Sequence, residues 1–136
     1  MKLNAYLSFN GQCEAAFKFY EKCLNGKLES LFRYEGSPMA QDLPQAERNH
    51  VMHARLIVGD QVLMGSDAPG TRYETPRGFS VTLNTGEPAE AERVFAALAE
   101  NAKIQMPIQQ TFWAARFGML VDQFGTPWMV NCEQAA

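Results

Sequence analysis

Thr111–Asn131 runs TFWAARFGMLVDQFGTPWMVN and gathers Phe112, Trp113, Phe117, Phe124 and Trp128 into one short stretch. Its pattern predicts two strands, Phe117–Val121 and Trp128–Asn131, joined by a turn at Asp122-Gln123-Phe124-Gly125. An Asp opens such a turn by bonding its own backbone, and a Gly supplies the positive φ. So many aromatics in one hairpin and its lead-in call for burial. The stretch is therefore expected to close a sheet, with the other segments supplying what it covers.

Those segments follow in order. Leu3–Phe9 alternates apolar Leu3, Ala5, Leu7 and Phe9 with Asn4, Tyr6 and Ser8, the mark of a half-buried strand. Asn10 is a fair helix N-cap. Cys13, Ala16, Phe17, Tyr20 and Leu24 then recur at the spacing of one helical face. Asn25-Gly26 signals a left-handed helix end. Lys27–Tyr34 predicts a strand, and His50–Val58 with Gln61–Ser66 a hairpin across Gly59-Asp60.

Between them, Glu35–Asn49 is polar, carries two prolines and shows no period. Connections this long are lids, binding loops or mobile excursions, with room here for a short helical turn. Ala68–Gly78 has the composition of a linker. Phe79–Asn84 predicts the next strand, with Phe79, Val81 and Leu83 inward. Thr85–Pro88 starts a helix with Pro near its first position, where the missing N–H costs nothing. Ala91, Val94, Phe95, Leu98 and Ala102 form its apolar face. Lys103–Gln110 predicts a strand that Pro107 confines to an edge or a bulge.

The halves echo each other. Phe9–Lys27 (FNGQCEAAFKFYEKCLNGK) matches Leu83–Lys103 (LNTGEPAEAERVFAALAENAK) in order: strand end, turn, helix, Asn, Lys. The pattern predicts a duplicated β-α-β-β-β module in an α+β fold. The expected arrangement is one domain over 1–136. Module 1 covers about 1–68, a linker about 69–77 and module 2 about 78–136. The modules pair into a curved eight-stranded sheet with helices outside and a cleft inside.

Composition narrows the function classes. The chain has 136 residues, enough for a stable core, since a domain of this size buries about 68% of its unfolded surface. Net charge is −3 and Lys/Arg residues form no run, so neither nucleic acid nor an anionic membrane is expected as partner. The opening residues MKLNAYLSFNG lack an apolar leader, and no stretch has the ~20 apolar residues of a membrane span. Cys13, Cys23 and Cys132 are odd in number and show no CxxC spacing, so buried thiols in a reducing cytoplasm are expected.

NAYLSFNGQCEAAFKFYEKCLNGK, HARLIVGDQVLMGSD and TFWAARFGMLVDQFGTPWMV together resemble the PhnB-like branch of the vicinal-oxygen-chelate superfamily. That superfamily includes glyoxalases, bleomycin-resistance proteins and extradiol dioxygenases. The resemblance covers nearly the whole chain and is weakest in Glu35–Asn49. It implies paired β-α-β-β-β modules and a homodimer. In catalytic members, His, Glu or Gln on the first and last strand of each module hold a divalent metal. Here those strands offer Asn4, Tyr6, Ser8, Met64, Ser66, Ser80, Thr82, Met129 and Asn131. Hydroxyls, amides and thioethers are poor ligands for Zn²⁺, Ni²⁺ or Fe²⁺, so no metal or other cofactor is expected.

The candidate ligand-binding residues are Tyr6, Ser8, His53, Met64, Ser80, Trp113, Arg116, Trp128 and Met129. Tyr6, Trp113 and Trp128 can stack on a flat ligand or serve as core. Met64 and Met129 make an adaptable wall. Arg116 suits a carboxylate or phosphate, or else a surface ion pair. His50 and His53 sit three apart, which on a strand sends them to opposite faces. Asp67 caps a turn or takes part in chemistry. The leading expectation is a protein with a cleft for a small organic molecule. One alternative is a metal-dependent lyase, isomerase or dioxygenase of the glyoxalase type, using His53 with Glu35 or Asp67. The other is a drug-sequestering resistance protein, which an acidic groove would favour. The ubiquinone-methyltransferase label that some relatives carry finds no Gly-rich strand-to-helix turn here.

Overall fold

The structure is a computed structural model and describes residues 1–134. It divides into two compact units, Met1–Glu74 and the chain from Thr75 on. Unit 1 contains β1 (Tyr6–Phe9), α1 (Cys13–Leu24), β2 (Lys27–Arg33), β3 (Val51–Val58) and β4 (Gln61–Asp67). Unit 2 repeats the order with β5 (Val81–Thr85), α2 (Pro88–Leu98), β6 (Lys103–Gln109), β7 (Ala114–Val121) and β8 (Pro127–Glu133). The eight strands form two four-stranded sheets, ordered β1-β4-β3-β2 and β5-β8-β7-β6. In each, the first strand lies parallel to the last and the remaining pairs are antiparallel. This shared topology is the duplicated module.

Each helix covers one face of its own sheet, and a glycine marks where it comes closest. A Cβ at Gly65 of β4 would lie 2.7 Å from Phe17 of α1, and one at Gly118 of β7 would lie 2.6 Å from Phe95 of α2. Strand alternation then sorts every neighbour. Leu7, Phe9, Ala54, Leu56, Leu63 and Asp67 join Gly65 under α1 and are buried. Leu120, Trp128, Val130 and Cys132 join Gly118 under α2.

Both helices are followed by a left-handed asparagine, Asn25 at φ 52° and Asn101 at φ 54°, as the repeat implied. Asn tolerates that conformation better than most residues. Gly26 serves a different need, because a Cβ there would sit 2.7 Å from the Ile57 carbonyl oxygen. The N-terminus of α1 departs from expectation. Gln12, not Asn10, occupies the cap position and gives no side-chain bond. Asp67 instead accepts from the Cys13 N–H with Oδ1 at 2.9 Å and from the Val51 N–H with Oδ2 at 2.8 Å. One carboxylate at the end of β4 thus ties the start of α1 to the start of β3.

The Asp122–Gly125 turn forms as read. Asp122 Oδ1 accepts from the Phe124 and Thr126 N–H groups, and Gly125 takes φ 93°. The aromatics around it do not all find cover. Trp128 is buried, with its indole N–H bonded to Asp122 Oδ2 at 2.8 Å. Phe112 is 90% exposed and Trp113 half-exposed, because they precede β7 and lie outside its register. Phe79, expected inward, is also half-exposed and precedes β5. Pro107 sits on edge strand β6, where the register shifts between Met106 and Gln109.

The loop after β2 is closed at its base. The Glu35 N–H donates to the Arg48 carbonyl at 2.7 Å, and two 3-10 turns, Pro38–Asp42 and Gln45–Glu47, fill the span. Near the end of β2, Arg33 and Lys18 both bind Glu14 Oε2, at 2.9 and 3.2 Å. Hydrogen bonds from Arg33 first, and Lys18 second, hold the Glu14 carboxyl below its ordinary value. A lowered folded pKa adds stability above the unfolded value, near 4.3, which is lost as pH falls through the folded one. Glu14→Gln is accordingly expected to be less stable than the parent at pH 7, with the difference closing below about pH 4. Urea unfolding of the two proteins across that range measures it.

Candidate functional site

The face of each sheet that carries no helix is lined by the side chains alternate to the core set. In unit 1 these are Tyr6, Ser8, Met64 and Ser66, which lie in register as Tyr6↔Met64 and Ser8↔Ser66. β3 adds His53 and Arg55, and β2 adds Phe32, the register partner of His53. The Tyr6 hydroxyl and His53 Nδ1 are 3.2 Å apart, in hydrogen-bond contact, with ring centroids at 5.8 Å. Tyr6 and Phe32 are each about half-exposed. Arg55 Nε donates to Glu29 Oε2 at 2.6 Å, so that pair leaves no net charge there. His50, by contrast, lies before β3 with its ring against Gly11.

In unit 2 the corresponding face carries Thr82, Asn84, Phe117, Met119, Met129 and Asn131. Met119 and Met129 are cross-strand neighbours, and Asn131 Nδ2 donates to Asn84 Oδ1 at 3.1 Å. Trp113 packs edge-on against Phe117, with centroids at 5.6 Å. At one end, Ser80 and Met129 share a cavity of about 380 Å³ with Arg77, Phe79, Gln105 and Val121.

The expected site residues therefore separate. Tyr6, Ser8, His53 and Met64 share the open face of unit 1. Met129 lies on that of unit 2, with Ser80 and Trp113 at its margins. Two do not belong. Trp128 is 1% exposed and lies on the side of Leu120 and Val130, under α2. Arg116 lies in register with Cys132, on the same side, and its Nε donates to Glu92 Oε1 of α2 at 2.7 Å. Its guanidinium is an ion-pair partner rather than a cleft cation. Phe32, Phe117 and Met119 were missed. The signal for them was the apolar residue of each flanking strand that falls out of phase with its buried set.

The donor chemistry does not suit the superfamily's metal. The open-face residues of β1, β4, β5 and β8 supply hydroxyls, amides and thioethers. Both buried aspartates, Asp67 and Asp122, already accept from N–H groups. Asp67 thus cannot join His53 in a ligand set without releasing α1. Among the described residues no three His, Cys, Asp or Glu side chains converge. The Cys13 thiol is no nucleophile either. Burial, then the charges of Asp67 and Glu14, push it far above the ordinary thiol range.

Comparison with known proteins agrees with this architecture. The family model described as 3-demethylubiquinone-9 3-methyltransferase matches residues 1–131. Protein YjdN of Escherichia coli K12 is 33% identical over 96% of this chain and 95% of its own length. The crystal structure of PA1353 from Pseudomonas aeruginosa is 46% identical and covers 99% of both chains with a TM-score of 0.87. The PhnB protein from Bacillus cereus, at 24% identity, covers 97% of this chain and 99% of its own, with a TM-score of 0.79. A glyoxylase/bleomycin resistance protein/dioxygenase domain from Frankia shares the fold alone, at 11% identity and TM-score 0.67, with 98% of each chain covered. The chain belongs to that 3-demethylubiquinone-9 3-methyltransferase family, and it shares its fold with the PhnB protein and with the glyoxylase/bleomycin resistance protein/dioxygenase domain.

Proposed function

We propose that this PhnB-like protein binds a small organic molecule on its open sheet faces and does so without the divalent metal of the superfamily's enzymes. One observation carries the reading. The helix-free faces present partly exposed aromatics and thioethers beside neutral hydroxyls and amides: Tyr6 and Phe32, each about half-exposed, with the more covered Met64 in unit 1, and the partly covered Phe117, Met119 and Met129 in unit 2. Apolar walls with a few placed polar groups are the chemistry of ligand sites. Methyl transfer to a quinone, which the family's description names, is left out of the proposal. The β1-to-α1 turn, Phe9-Asn10-Gly11-Gln12, has a single glycine where nucleotide-cofactor sites use several.

The protein is proposed to act as a homodimer, in line with the superfamily resemblance, and in the cytoplasm. Its three cysteines are free and buried, which fits a reducing compartment. No helix among the described residues is long and apolar enough to cross a membrane.

A fragment screen read by methionine-methyl NMR tests the reading. Hits are expected to shift the Met64 or Met119/Met129 methyls, and Tyr6→Ala is expected to weaken the unit 1 hits several-fold. Hits that cluster away from both faces would refute it. A second reading, metal-free proton transfer, draws on the Tyr6–His53 contact alone. Under it, His53→Gln preserves binding and abolishes turnover of a bound hit.

A further inference from the structure

We infer that the unit 2 cavity takes a small organic anion, an apolar body bearing one carboxylate head. The inference rests on the ligand-binding reading above and adds the charge of the ligand. The cavity measures about 380 Å³, within the usual size range of small-molecule sites. Phe79, Val121 and Met129 supply apolar walls, and Phe79 is half-exposed although its neighbours Val81 and Leu83 are better covered. An unburied phenyl ring on a cavity wall is available to a ligand.

The polar part of the lining has one sign. Arg77 is the charged residue among the lining side chains, and no carboxylate faces it there. Elsewhere Arg33, Arg55 and Arg116 pair with Glu14, Glu29 and Glu92. Arg77 makes no ion pair among the described residues, in a chain whose net charge is −3. A guanidinium with no carboxylate partner beside an apolar wall matches a planar oxyanion, and Ser80 and Gln105 add a hydroxyl and an amide to the lining of the same cavity. Gly78 takes φ 82°, a left-handed turn between Arg77 and Phe79 on the same wall. Cation and apolar wall are thus set by one short segment.

The test titrates two probes of nearly equal shape, 1-naphthoate and uncharged 1-naphthalenemethanol, against the full chain and follows the Met129 methyl resonance. Arg77 is exposed, so its pull on an anion is modest and screened by salt. Naphthoate is expected to bind about fivefold more tightly than the alcohol at low salt, with the gap narrowing as salt is added. Arg77→Gln is expected to remove that preference and leave the alcohol's affinity unchanged, whereas Phe79→Ala weakens both. Equal affinities that both depend on Phe79 would overturn the anion inference and leave the ligand-binding reading standing. If neither probe moves Met129, both fall for this unit.

Discussion

Asp122→Ala is expected to lower the stability of the protein by about 3–5 kcal/mol, measured by urea unfolding. The carboxylate accepts from three donors at once. Oδ1 takes the Phe124 N–H at 2.8 Å and the Thr126 N–H at 3.0 Å, and Oδ2 takes the Trp128 indole N–H at 2.8 Å. Thr126 and Trp128 are each 1% exposed, so water does not readily replace the lost oxygen atoms. Leaving a buried donor unpaired costs about 1–3 kcal/mol, and Ala strands two or three of them. Asp122→Asn separates the contributions. Its one carbonyl oxygen can keep both backbone donors while its amide group faces the indole N–H, so a loss of about 1–2 kcal/mol is expected. A loss below about 1 kcal/mol for Asp122→Ala would mean that the turn is held by its backbone alone.

Asp67→Ala is expected to cost about 2–4 kcal/mol, and Asp67→Asn nearly as much. Here each oxygen serves one backbone N–H, Cys13 through Oδ1 and Val51 through Oδ2. Asn keeps one acceptor and turns an amide donor toward the other N–H, so the isosteric change does not rescue the site. The contrast between Asp67→Asn and Asp122→Asn is the sharper prediction, because it depends on how the donors divide between the two oxygens. If Asp67 served only chemistry, both of its variants would keep the parent's urea midpoint. The two aspartates also show how the duplicated modules diverged. One unit is tied by a carboxylate at the end of its last strand, the other by a carboxylate in its last hairpin turn.

Local chemistry made much of this fold legible. The Asp122–Gly125 turn, the left-handed Asn25 and the echo between Phe9–Lys27 and Leu83–Lys103 depend on residues close in sequence, and each appears in the structure. The face of a side chain is harder to read. The sequence leaves Arg116, near Trp113, open to either a cleft or a surface ion pair. Yet Arg116, Gly118 and Leu120 alternate onto one face, and that face meets α2. The same alternation puts Trp128 with Val130 and Cys132, and leaves Met129 open. Phe112 and Trp113 stay exposed because aromatic content signals a demand for burial, not the presence of cover. Asp67 was hardest to read: its partners, Cys13 and Val51, are 54 and 16 positions away, and only the folded chain brings them together.

The most direct test of the central claim is the metal content of the purified protein, by elemental mass spectrometry after dialysis without chelator. Ser8, Met64, Thr82, Met129 and Asn131 are neutral donors on the strands where the superfamily's enzymes hold their ion, so no divalent metal is expected in stoichiometric amount. Close to one zinc, nickel, iron or manganese ion per chain, retained through dialysis, would contradict the account and return the protein to metal-dependent chemistry.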